Sequence, residues 1–257
     1  MPDIKYFDTH AHYDVQFEDD LSEVLDNIYK LGVHKIVDVG YSKESSEDAI
    51  RLSNKYDYIY SAVGFHPQEA EKDNNVNILY DWVRDNKKIV AIGEIGLDYH
   101  YDMDKKLQKD LFISQIAIAN ELGLPIIIHN READMDVLDI LKNQMKPNVG
   151  VIFHCFSSSL EVAKEVLKHG WYISISGTIT FNNANSLIEV AQYVPLDKLL
   201  IETDCPYLAP EPFRGKRNDS SKVQLVAEKI AQLKGISIDE VALNTYNNGC
   251  KIYNIKE

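Results

Sequence analysis

The chain is 257 residues long, is 45% hydrophobic and carries a formal net charge of −13 at neutral pH. That length suits one domain with a sizeable core, spanning residues 1–257, and no apolar run is long enough to cross a bilayer. The acidic balance excludes a protein that coats nucleic acid through a basic surface, though not an enzyme whose bound metal ions supply positive charge locally. Cys155, Cys205 and Cys250 form neither a disulfide framework nor a CxxC zinc signature. "MPDIKYF" lacks the basic-then-apolar pattern of a signal peptide, so a cytoplasmic protein with no membrane partner is expected.

In chain order, eight short, mostly β-branched runs read as buried parallel strands. They are Ile4–Asp8, Lys35–Gly40, Ile59–Gly64, Ile89–Glu94, Pro125–His129, Gly150–His154, Trp171–Ser176 and Leu199–Asp204. Between them lie amphipathic segments such as "DLSEVLDNIYKLG", "KKLQKDLFISQIAIANELG" and "SLEVAKEVLKHG", which end at Gly32, Gly123 and Gly170. Two more helical segments, around Lys222–Lys234 and Ile238–Tyr253, follow the last strand. Eight strands alternating with helices predict an α/β fold, a (β/α)8 TIM barrel with additional C-terminal helices. An open doubly wound sheet is the alternative.

The strand ends carry the chemistry. "FDTHAHYD" places His10 and His12 two residues apart at the end of the first strand, and side chains at i and i+2 share a face. The fourth strand ends in Glu94, the fifth in His129, the sixth in His154 and the eighth in Asp204. A barrel brings these ends to one face. Each residue alone has a plainer reading as a hydrogen-bonded strand end or a turn former. Burying all six near one another without a cation would be costly. One catalytic zinc usually takes three protein ligands, so six donors suit two divalent ions. His10, His12, Glu94 and Asp204 would hold one ion, and Glu94, His129 and His154 the other, with Glu94 as the bridge. Such pairs activate water for hydrolysis. Mg, Mn and Zn are the candidate ions, and four imidazoles weigh against a site that binds only Mg tightly.

The motifs "DTHAHYD", "AVGFHP", "GEIGLDYH", "IIIHNREA", "FHCFS", "ETDCPYLAP" and "RGKRN" run in order from about residue 8 to residue 218. Together they resemble the TatD-related metal-dependent deoxyribonucleases, a branch of the amidohydrolase-like barrels. The resemblance implies the same six ligands, and a strand-four glutamate where many relatives use a carbamylated lysine. It also implies hydrolysis of DNA phosphodiesters, often from a 3′ end. Asp219 and Ser220 stand where the family commonly has Glu-Pro, and Ser158 where it often has Gly.

Around this set, Asp204 is a candidate general base as well as a ligand. Arg214, Lys216 and Arg217 in "RGKRN" are candidates for holding substrate phosphates, Arg217 being marginally preferred. His66 is a candidate for touching a phosphate or protonating a leaving oxygen. Asp98 and Glu132 are candidates for orienting ligand histidines. Cys155 and Cys205, each next to a ligand, read as packing residues. Tyr99, Tyr101 and Tyr207 are candidates for stacking on bases. The charge of −13 points to a single strand or chain end of DNA as partner. Small-molecule esters, amides and phosphoesters, and an aminoacyl ester of RNA, are the alternative substrates. A barrel that keeps metal for stability and serves only to bind partners is the non-enzymatic alternative.

Overall fold

The computed structural model describes residues 4–13, 17, 20–72 and 74–256. Asp14, the last residue of the first motif, and the start of "MPDIKYF" lie outside these. Among the described residues, eight strands form one parallel sheet in chain order and alternate with helices, the (β/α)8 class expected. The chain groups into two compact units, residues 1–38 with 154–257 and residues 39–153.

The first unit holds β1 (Tyr6–Ala11), α1 (Leu21–Lys30) and β2 (Val33–Val39, whose last residue belongs to the second unit). It also holds α6 (Leu160–Lys168), β7 (Tyr172–Ile175), α7 (Asn185–Tyr193), β8 (Leu199–Ile201), α8 (Val223–Lys234) and α9 (Ile238–Ile252). β1 is buried along its whole length and runs three residues past the expected end. His10 is therefore a strand residue and His12 lies just beyond. β8 returns to β1: Thr9 Oγ1 donates to the Ile201 carbonyl at 3.0 Å. The C-terminal helices cover β1 from outside. Phe7 packs its ring against Tyr246 and Tyr253, with centroids 6.0 and 5.9 Å away. The approach needs Gly249, because a Cβ there would stand 2.5 Å from the Phe7 ring. Tyr253, fully buried, donates its hydroxyl to the Thr9 carbonyl at 3.0 Å.

The second unit holds α2 (Lys43–Lys55), β3 (Ile59–Val63), α3 (Ile78–Asp85) and β4 (Ile89–Asp98), then α4 (Lys105–Leu122), β5 (Ile126–Arg131), α5 (Asp134–Gln144) and β6 (Val151–Phe153). β4 runs four residues past Glu94, and all ten of its residues are buried. The glycines of "GEIG" explain why. A Cβ on Gly93 would stand 2.6 Å from the Ile127 Cβ, and one on Gly96 would overlap the His129 carbonyl. Only glycine lets β4 lie this close to β5 at the level of Glu94 and His129. Gly96 also has a φ of +149°, which a side chain disfavours.

Helix α4 anchors this unit through two buried amides one heptad apart. Gln108 accepts the Asp98 N–H and donates to the Asp98 carbonyl, both at 2.9 Å. Gln115 does the same for Phe65, at 2.8 and 2.9 Å. Each pairing satisfies backbone groups at a strand end and fixes the next side chain, His66 in one case and Asp98 itself in the other. Replacing Gly96 with Ala is expected to destabilise the chain by roughly 3 kcal/mol, measured by urea unfolding. An unchanged midpoint would contradict the packing account.

Candidate metal centre

In the first unit, His10, His12 and Asp204 converge. The two Nε2 atoms stand 3.1 Å apart. Asp204 Oδ1 is 3.4 Å from His12 Nε2 and 3.8 Å from His10 Nε2. Both imidazoles are almost fully buried. Backbone bonds lock the arrangement: Asp204 N–H donates to the His10 carbonyl at 3.0 Å, and His12 N–H to the Cys205 carbonyl at 2.7 Å. Tyr13 N–H donates to Asp38 Oδ1 at 3.0 Å, and its hydroxyl to Ser220 Oγ at 2.8 Å. Ser220, one of the two departures after "RGKRN", thus fastens that loop to the residue after His12.

Asp204 has a φ of +54° and Cys155, after His154, one of +40°. Non-glycine residues rarely adopt this conformation, and such backbone collects at functional sites. Burial pushes the Asp204 carboxyl up, but the hydrogen bond from His12 and the imidazoles of His154, His10 and His12 outweigh it and hold it below its usual range. His154 stacks on His10, with ring centroids 3.9 Å apart and planes 11° from parallel.

In the second unit, His66, Glu94 and His129 converge. Glu94 Oε1 is 2.7 Å from His129 Nδ1 and 3.7 Å from His66 Nε2. The opposite edge of the His129 ring meets Asp98, with Nε2 3.1 Å from Oδ2. Burial raises the Asp98 carboxyl, but the hydrogen bond and charge of His129, the His100 N–H and the charge of His66 outweigh it and hold it below the ordinary value. Asp98 therefore orients a histidine as expected. Glu132 instead meets exposed His100, at 2.8 Å. Gln68 N–H donates to His66 Nδ1 at 3.2 Å. The proton of a neutral His66 ring consequently sits on Nε2, on the Glu94 side, and makes His66 a donor rather than a ligand.

The first cluster unites two imidazoles and a carboxylate, and the second sets Glu94 and His129 beside His66, with the candidate atoms of each within 4.8 Å of one another. This donor chemistry fits a divalent transition ion. Imidazole nitrogens 3.1 Å apart, screened from water and beside a carboxylate oxygen 3.4 Å from one of them, form an arrangement that a cation would stabilise.

The loop cations divide. The Arg214 guanidinium lies 3.7 Å over the Phe181 ring, and the Lys216 ammonium 6.0 Å from the Phe213 ring. Arg217 is tied to Asp20 and lies 4.5 Å over the Phe17 ring. Tyr99 donates its hydroxyl to Asp136 at 2.6 Å, whereas Tyr101 and Tyr207 are largely exposed. Cys205 is fully buried and burial pushes its thiol well up, which suits packing rather than nucleophilic attack. All three cysteines are free.

Two residues that matter here are absent from the expectations as individual candidates. Asp8, fully buried, accepts the Thr203 N–H at 2.9 Å and the Thr203 hydroxyl at 2.5 Å, joining β1 to the segment that carries Asp204. Burial pushes its carboxyl up to about 7. Glu202 stands behind His154. In the sequence both look like flanking letters of a motif, and no spacing rule singles them out.

The fold and these donor sets define a barrel equipped to bind divalent metal. The sequence model of the TatD related DNase family matches residues 7–254. The uncharacterized metal-dependent hydrolase YabD of Bacillus subtilis is 46% identical over 254 residues, covering 97% of this chain and 99% of its own. The uncharacterized metal-dependent hydrolase MJ1582 of Methanocaldococcus jannaschii is 36% identical over 256 residues, 98% of each chain. The crystal structure of YjjV, a TatD homolog from Escherichia coli K12, superposes with a TM-score of 0.93 at 30% identity, covering 98% of this chain and 99% of its own. The chain belongs to the TatD family, and its class is metal-dependent hydrolase.

Replacing His12 with Ala removes one of three converging donors. Zinc affinity, measured by chelator competition, is expected to fall by more than about 100-fold, beyond what loss of a supporting contact costs. Wild-type affinity in this variant would remove His12 from the centre.

Proposed function

We propose that the protein hydrolyses phosphodiester bonds of DNA, working on a single strand or a chain end and from the 3′ side, with two divalent ions as cofactors. The observation that carries this reading is the match to the TatD related DNase family over residues 7–254, in a chain that retains every expected donor. His10, His12 and Asp204 would hold one ion, and Glu94 and His129 the other, with His154 completing the set. When bound, such ions draw charge off a phosphoryl oxygen and make water a stronger acid at neutral pH.

The chain's own residues supply the rest. Asp204 accepts the proton of the water whose oxygen bonds to phosphorus. His66, its Nε2 proton directed by the Gln68 N–H on Nδ1, protonates the leaving oxygen as the phosphorus–oxygen bond breaks. Asp98 fixes the His129 ring. Arg214 and Lys216 hold flanking phosphates, while Arg217, paired with Asp20, stiffens the loop that carries them. The net charge of −13 confines the DNA contact to this loop and the metal centre, which favours a short strand over a long duplex track. Three free thiols accord with a reducing cytoplasm. Among the described residues no helix is long and apolar enough to cross a membrane.

The test is to incubate metal-stripped protein with single-stranded DNA labelled at either end, adding Mg, Mn or Zn in turn, beside a His129→Ala control. Metal-dependent shortening from the 3′ end, absent in the control, is expected. A chain that binds metal and leaves DNA intact under every condition would overturn the nuclease reading and turn attention to small-molecule esters.

A further inference from the structure

Glu202 is fully buried immediately after β8, two residues before Asp204. Its Oε1 accepts the Cys155 N–H at 2.7 Å and stands 3.3 Å from His154 Nδ1, close enough for its charge to act although the two are not aligned for a hydrogen bond. Its Oε2 accepts no hydrogen bond among the described residues. A carboxylate removed from water and only half matched is expensive to keep, unless a cationic group nearby uses its charge. The group it addresses is the His154 imidazole. The stack on His10 sets the plane of that ring, and Glu202 faces one of its two nitrogens.

We propose that Glu202 is a positioning residue, whose charge favours the His154 proton on Nδ1 and so leaves Nε2 as the donor to a divalent ion. A carboxylate on the far nitrogen fixes both tautomer and orientation, and strengthens the near nitrogen as a ligand. The Cys155 amide is part of the device. Its positive φ, +40°, bends the chain after His154 so that the N–H meets Glu202 and holds the carboxylate on the Nδ1 side. Asp98 plays the matching part for His129 in the second unit, so a buried carboxylate backs each of these two strand-end histidines.

The inference rests on the metal-centre reading and is independent of the substrate. Two measurements on the full-length chain test it. Nitrogen NMR of the His154 ring in the metal-stripped wild type is expected to show the proton on Nδ1, and a proton on Nε2 would overturn the proposal without any substitution. Chelator competition with zinc is expected to show Glu202→Gln binding the ion about 10–100-fold more weakly. A wild type that binds zinc and a Glu202→Gln chain that binds it equally well would overturn this inference alone. A wild type that binds no divalent ion would overturn it together with the functional reading. Intact metal binding with no DNA cleavage would overturn only the nuclease assignment.

Discussion

Two imidazole nitrogens held 3.1 Å apart beside a carboxylate, out of reach of bulk water, do not stay together by attraction alone. The scaffold has to hold them, or a cation has to be present, and this chain is organised to do the first so that the second can happen. Backbone bonds at the end of β1 and in the segment after β8 pin His10, His12 and Asp204 from both sides. Asp8 ties the same two segments from within, through both donors of Thr203. In the second unit the glycines of β4 and the glutamines of α4 do the equivalent work for Glu94, His129 and His66. Preorganisation of this kind moves the cost of ordering the donors from metal binding to folding, where a large buried core absorbs it.

Much of the site was legible because ligand positions obey strand periodicity. The two-residue spacing of His10 and His12 requires a shared face, and the other candidates fall at the ends of β-branched runs. The strand ends were less legible: β1 and β4 continue past their expected limits because Thr9 bonds to β8 and Gly96 permits close contact with β5, facts that depend on a neighbour. Supporting residues were harder still. Gln108 and Gln115 sit in an amphipathic helix where glutamine ordinarily faces water, yet both are buried against strand-end backbone. Glu202 gains its meaning from His154, 48 positions earlier in a chain that must fold before the two meet. Arg217 shows the same limit from the other side. "RGKRN" marks a basic loop, but the partner that takes Arg217, Asp20, is 197 residues away.

The division of labour among the cations bears on substrate. An acidic chain that handled DNA through its surface would repel it at long range. Under the proposed function the attraction would be local, supplied by the ions and by Arg214 and Lys216 on a loop that Ser220, Asn218 and Arg217 hold in shape. Asn218 donates to the carbonyls of Thr203 and Tyr207, at 2.9 and 2.7 Å, and so links that loop to the Asp204 segment. A chain end, which needs few phosphate contacts, suits such a surface better than a duplex that tracks across it.

The central claim is that the donors form two sites for divalent ions. Calorimetric titration of the metal-stripped full-length chain with Mn²⁺ addresses it most directly. The account predicts saturation at about two ions per chain, the number that water activation by paired metals requires. Saturation at one ion, or no binding, would contradict it.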